Sequence, residues 1–171
     1  TPVREALARL EQEGLVHIVP RRGVYIVRKT KAQILEMITV WAALESMAAR
    51  LVVDNASDED IVSLKKMFSA YEGDQLHAHI DEYSETNIKF HQAILSMSQC
   101  GLIREMADNL FIHMRSIRAR TISEEDRIER SIIDHMHIIE ALESRDADLA
   151  ARLVREHSLN LASHIKKHVH Y

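Results

Sequence analysis

Three histidines stand on sequence stripes that otherwise read as protein core. One stripe runs Ile80, Tyr83, Asn87, Phe90, His91 and Ile94, with Asn87 and His91 one helical turn apart. A second runs Ile128, Ile132, His135, Ile139 and Leu142, and a third Ala150, Leu153, His157, Leu161 and His164. Burying one imidazole without a partner costs on the order of 1–3 kcal/mol, so each ring needs something to bond. Three rings on three helices suggest a common partner, and neutral imidazoles with open positions beside them suit zinc, nickel, iron or copper. His135 and His157 lie on successive helices joined by a short turn, so they can face one another. The residues alone leave three readings open: a shared metal site, separate hydrogen-bonded core histidines, or a metal-free anion pocket.

The elements that must hold these residues are helical. The chain has 171 residues, with only 4 Gly and 2 Pro, too few for the turns of an all-β fold. The apolar spacing predicts body helices over about 31–54, from just after Ser57, over about 76–98 and 102–119, from just after Ser123, and from Asp146 toward His168. Ser57 and Ser123 are expected N-caps, followed by Asp58, Glu59 and Asp60 and by Glu124, Glu125 and Asp126 at the positive helix ends. Short connections imply antiparallel neighbours. The single cysteine, Cys100, excludes an intrachain disulfide framework and reads as a helix-end residue. No apolar run reaches the ~20 residues of a membrane span, and no signal peptide is visible, so a reducing, cytoplasmic setting without membrane contact is expected. His113, His137, His164, His168 and His170 match no motif, and Met97, Met106 and Met114 read as core filler.

The first residues differ in charge and pattern. Residues 1–31 carry seven basic and three acidic side chains, while the remainder holds 15 basic and 23 acidic ones. A basic head on an acidic body points to two tasks, one of them facing a polyanion. Val3, Leu7 and Leu10 are spaced as on a helix closed by Gly14; Leu15–Val19 and Val24–Val27 flank a Pro20-Arg21-Arg22-Gly23 turn and read as a hairpin. A short helix followed by a hairpin with arginines at its tip is the C-terminal half of a winged helix-turn-helix. About 30 residues cannot bury a core of their own, so the front helices of that module are expected to be missing from the chain as given. The expected fold is thus mostly α: a partial winged helix-turn-helix over 1–29, then an antiparallel bundle of about six helices over 30–171.

The run Thr1-Pro2-Val3-Arg4-Glu5-Ala6-Leu7-Ala8-Arg9-Leu10-Glu11-Gln12-Glu13-Gly14-Leu15-Val16, with Pro20-Arg21-Arg22-Gly23-Val24-Tyr25, closely resembles the recognition helix and wing of GntR-family bacterial transcription regulators. The resemblance implies that Thr1 and Arg4 reach major-groove bases and phosphates, and that Arg22 and Gly23 form the wing tip. Arginine pairs bidentately with guanine, and glycine permits close backbone approach. From about residue 31 the chain resembles the helical effector-binding FCD domain of the FadR-type branch, through Ala43–Leu51, Asn87-Ile88-Lys89-Phe90-His91, Asp134-His135, Ala141–Asp146 and His157. In metal-binding members an Asp and three histidines hold a divalent ion that contacts a small carboxylate effector. The resemblance places His91, His135 and His157 at those histidine positions, with zinc or nickel the expected ion.

Two residues depart from the pattern. Asn87 replaces the usual Asp, supplying a neutral carbonyl oxygen where relatives supply a charge. Trp41 stands where relatives often carry an arginine, so the effector either meets Trp41 with an aromatic-friendly face or is held by another cation, Arg115 or Arg118, against the alternative of a solvated helix face. The function implied is a ligand-responsive DNA-binding regulator, a repressor by family habit, acting as a homodimer on a palindromic operator with a small organic acid as effector. The alternative, a helical metalloenzyme using the three histidines, lacks His-Glu-x-x-His, paired Glu-x-x-His motifs and any legible nucleophile–base pair.

Overall fold

The computed structural model describes residues 1–71, 80–121 and 125–168. The element order is α1 (Pro2–Gln12), β1 (Val16–Val19), β2 (Gly23–Ile26), α2 (Lys31–Asn55), α3 (Asp58–Phe68) with a 3-10 turn at Ser69–Tyr71, α4 (Ile80–Met97), α5 (Gly101–Thr121), α6 (Glu125–Glu143) and α7 (Ala147–His168). The expected mostly-α architecture is found, with one small sheet among the described residues. The expected start of a helix near 76, the Ser123 cap with Glu124, and His170 lie outside those residues.

Local chemistry sets the head. Pro2 occupies the first turn of α1, where its missing N–H is not needed. Gly14 ends the helix at φ +69°, with Gly14 N–H donating to Glu11 O and Leu15 N–H to Leu10 O, both at 2.9 Å, a Schellman closure that a left-handed glycine makes without strain. Strands β1 and β2 pair antiparallel, Val16 opposite Ile26 and Val19 opposite Gly23, and the turn between them places Arg21 at φ +63° and Gly23 at φ +119°. None of the α1 side chains is buried; Val3 is 69% and Ile26 81% exposed, so this unit has no core of its own.

The body is organised on α2 and α7. Thr30 with Gln33, and Ser57 with Asp60, form reciprocal capping boxes at the starts of α2 and α3, the second as expected from Ser57. Ser46 Oγ donates to Ala151 O at 2.8 Å, Arg50 pairs with Asp148, and Lys31 Nζ reaches Lys166 O at 2.9 Å, so α2 and α7 run antiparallel along their length. Helix α4 lies on α2 in the parallel sense, Glu45 meeting His91 and Asn55 Nδ2 donating to Ser98 O at 2.7 Å. Arg145, left-handed at φ +55°, closes α6 and donates to Val53 O at 2.8 Å and Ala56 O at 2.9 Å, tying the α6–α7 turn to the end of α2. The core joins Ile38, Trp41, Ala48 and Val52 of α2 to Phe90 and Ile94 of α4, Ile138, Ile139 and Leu142 of α6, and Val154, Leu161 and Ile165 of α7. No helix is long and apolar enough to cross a membrane among the described residues.

Candidate metal and anion site

Helices α4, α6 and α7 bring His91, His135 and His157 together. One ring nitrogen from each lies within 4.8 Å of the others, and His91 and His135 are buried. The rings of His91 and His157 stack at 5.4 Å, and those of His135 and His157 approach to 4.6 Å. Phe68 stacks on His135 at 4.8 Å and Phe90 lies 4.5 Å from it, giving that ring an aromatic wall.

Each imidazole is held by its Nδ1. His91 Nδ1 bonds the carboxylate of Glu45 from α2. His157 Nδ1 donates to Asp134 Oδ2 at 2.9 Å, and His135 Nδ1 lies 3.3 Å from Tyr83 Oη. Nε2 is therefore the atom each ring has left to offer. His91 Nε2 lies 3.1 Å from Asn87 Oδ1, so the amide oxygen joins the same cluster. His135 Nε2 is buried with no hydrogen-bond partner in the protein. An orphaned buried nitrogen is costly, and a metal ion would satisfy it. The donor set of three imidazoles and one amide oxygen fits a borderline ion such as zinc or nickel.

Electrostatics favour the ligating form of the rings. Burial holds His91 well below the usual histidine pKa, and the nearby Arg118 and His157 push the same way. Burial also depresses His135, reinforced by His157, His91 and Arg118. Both imidazoles are neutral near pH 7, as metal ligation requires. Burial pushes the Glu45 carboxyl up; the Arg118 charge opposes this, followed by His157 and the hydrogen bonds from Ser158 and Trp41.

Arg118 brings a buried cation to the edge of the cluster. Its Nη1 lies 3.4 Å from Asn87 Oδ1, its Nη2 4.0 Å from Glu45 Oε2, and its guanidinium 5.9 Å from the Trp41 ring. Desolvation lowers its pKa to about 10, and Glu45 restrains the fall, so it stays charged. Its Nε has no hydrogen-bond partner. A void of about 20 Å³ opens here, walled by Asn87, Arg118, Thr121, Ser131 and His157 among others.

The remaining residues singled out by sequence fall as follows. Arg115 is exposed and stands away from the cluster, because α5 turns Met114, Ile117, Arg118 and Thr121 inward. Trp41 is buried, but it does not wall the void: its indole N–H donates to Glu45 Oε2 at 2.8 Å and its ring packs against Phe111. Thr1 and Arg4 are exposed at the start of α1, and Arg22 and Gly23 are exposed at the hairpin tip. Sequence reasoning gave no role to Glu45, Tyr83 or Asp134. Glu45 had a signal, a carboxylate within the apolar stripe Ile38, Trp41, Ala48; the partnerships of Tyr83 and Asp134 cross between helices and had none.

Two families match the chain: the FCD domain over residues 36–160, and the bacterial regulatory proteins of the gntR family over residues 1–26. The HTH-type transcriptional repressor RspR of Escherichia coli is 24% identical over 97% of this chain and 73% of its own. The HTH-type transcriptional repressor GlaR of the same organism is 26% identical over 92% of this chain and 76% of its own. Among solved structures, E. coli McbR/YncC superposes with a TM-score of 0.80 at 20% identity, covering 96% of this chain and 83% of its own, a likeness of fold. The metalloenzyme alternative finds no support in these relatives.

The buried groups set a pH response for the metal-free protein. His91 and His135 have folded pKa values below the ordinary histidine value of 6.5, so unfolding takes up protons below that pH and stability falls as pH drops. Glu45, raised above 4.5, acts in the opposite sense, but it is one group against two. The thermal midpoint of chelator-treated protein is expected to decrease steadily from pH 7 to pH 5. A midpoint that is flat or rises over that interval contradicts the buried neutral imidazoles.

Proposed function

This chain belongs to the FCD-domain group of GntR-family bacterial regulators, and on that premise we propose that it is a metal-dependent, effector-responsive transcription repressor. The observation that carries the reading is the convergence of three Nδ1-anchored imidazoles on a point where His135 Nε2 is buried and partnerless. His91, His135 and His157 would hold a divalent ion, with the Asn87 amide oxygen beside them. When bound, such an ion supplies a localised positive charge able to receive an anionic oxygen.

This chain's own residues do the rest. Glu45 and Asp134 fix the ring orientations of His91 and His157. Arg118 offers a fixed guanidinium to the carboxylate of a small organic acid, in a dry setting where such a pairing is strong. Asn87 in place of a carboxylate leaves the site more positive, which weakens metal binding and favours an anion.

The segment 1–29 is read as the operator-binding head and 30–171 as the effector-binding and dimerisation body. Thr1 and Arg4 stand ready for the major groove, and Arg22 and Gly23 for the wing contact. In a homodimer two such heads match the half-sites of a palindrome. Helix α5 links the two functions: it carries Arg118 and, five residues earlier, His113, which stands beside the backbone of Glu13 at the end of α1. An effector that draws on Arg118 differently in two arrangements of α5 shifts the head accordingly.

Elemental analysis after dialysis tests the metal reading: about one equivalent per chain is expected in wild type, lost in His135→Ala, with Asn87→Asp tightening metal affinity by roughly tenfold or more. No metal in wild type, or no gain from Asn87→Asp, contradicts it. In a chain with a complete winged helix-turn-helix, Arg4→Ala is expected to abolish specific operator binding in a gel shift; unchanged specificity overturns the recognition-helix assignment.

A further inference from the structure

The carboxylate of Glu45 is closed off from water and surrounded by donors. Its side chain is 1% exposed, against 35% for Asp134, the other carboxylate behind one of the three rings. Glu45 Oε1 meets His91 Nδ1. Glu45 Oε2 accepts from Trp41 Nε1 at 2.8 Å and from Ser158 Oγ at 3.0 Å, and both partners are buried. An indole N–H can only donate, so Oε2 is held as an acceptor. Arg118 Nη2 stands off at 4.0 Å, beyond a hydrogen bond, so it lies near the charge without taking up an oxygen.

Three helices converge on this one group. Glu45 and Trp41 come from α2, His91 from α4, and Ser158 from α7, where it follows His157 in sequence. A buried helical serine can return its hydroxyl to a carbonyl of its own helix; Ser158 instead reaches across to α2. The chemistry in front of the rings gives this arrangement a purpose. Three neutral imidazoles and the Asn87 amide carry no charge, so a divalent ion among them would have no anion in direct contact. A carboxylate bonded to the far nitrogen of a ligating ring raises the basicity of that ring, and a dry setting strengthens the effect.

We propose that Glu45 supplies, through the ring of His91, the negative charge that Asn87 does not, and that Ser158 and Trp41 are the positioning residues that hold its carboxylate in place. With Oε2 fixed by two donors, Oε1 is turned to His91 Nδ1. The inference rests on the metal reading given above and adds to it a source of charge and two residues that do not themselves touch the ion.

The test is zinc affinity of the 171-residue chain by competition with a chromophoric chelator, alongside proton NMR of the His91 Nδ1–H in zinc-loaded protein. Glu45→Gln keeps the shape and removes the charge; it is expected to weaken zinc binding about 10–100-fold. Ser158→Ala loosens the carboxylate and is expected to weaken it roughly threefold to tenfold. The Nδ1–H resonance of His91, far downfield when bonded to a carboxylate, is expected to move upfield in both variants, further in Glu45→Gln. Far-ultraviolet circular dichroism and the thermal midpoint of zinc-free protein report folding, and Ser158→Ala, which removes one hydroxyl, carries the test should Glu45→Gln not fold. Variants that bind zinc as tightly as wild type, with the resonance unmoved, overturn the proposal and leave the metal reading intact. Lower thermal midpoints with unchanged zinc affinity assign the network to the fold alone and overturn it equally. No zinc bound by wild type overturns the metal reading and this inference with it.

Discussion

Three imidazole rings in one hydrophobic core require a partner for every ring nitrogen, and the arrangement of the body helices follows from that requirement. The four nitrogens of buried His91 and His135 must be satisfied away from water, where an unmade hydrogen bond costs on the order of 1–3 kcal/mol. Glu45, Tyr83 and Asp134 take the Nδ1 side of the three rings. Because these partners come from α2, α4 and α6, the polar cluster locks together helices that apolar packing alone would leave free to slide. On the Nε2 side the protein sets only a second acceptor, Asn87 Oδ1, beside His91 and leaves His135 without a bond. A core that orients its imidazoles and stops short of satisfying them fits the ion proposed above.

The balance of charge gives the site its second property. Among the described residues close to the cluster, Glu45 is the buried carboxylate and Arg118 the buried guanidinium, 4.0 Å apart. A carboxylate at position 87 would neutralise part of an incoming ion; Asn87 does not, and its oxygen faces Arg118 instead. Metal and guanidinium together would leave positive charge unmatched at the void, and the readiest supply of negative charge is a ligand from solvent. Trp41 contributes by packing: its ring lies under the guanidinium and its N–H steadies Glu45, so it supports the cation without touching the void.

Much of this was readable in the sequence because it depends on local periodicity. Helix α2 and the Ser57 cap appear where spacing and capping chemistry put them, and the Gly14 stop appears as a left-handed closure. The three histidines were visible as polar interruptions of apolar stripes. What was not legible depends on phase and on contacts across helices. Arg115 and Arg118 are equivalent cations until packing decides which faces inward, and only Arg118 does. Asp134 adjoins His135 in sequence yet bonds His157, since successive residues on a helix point about 100° apart. Glu45 is a carboxylate within an apolar stripe, and only the position of α4 shows that it bonds His91.

The central claim is that all three rings are fixed at Nδ1 and present Nε2 to one ion. Nitrogen-15 NMR of the histidine side chains in cadmium-113-loaded protein tests this directly. The account predicts cadmium–nitrogen couplings to Nε2 of His91, His135 and His157 together, with the proton of each ring on Nδ1. Coupling to fewer than three of these rings, or to any of them through Nδ1, would contradict it.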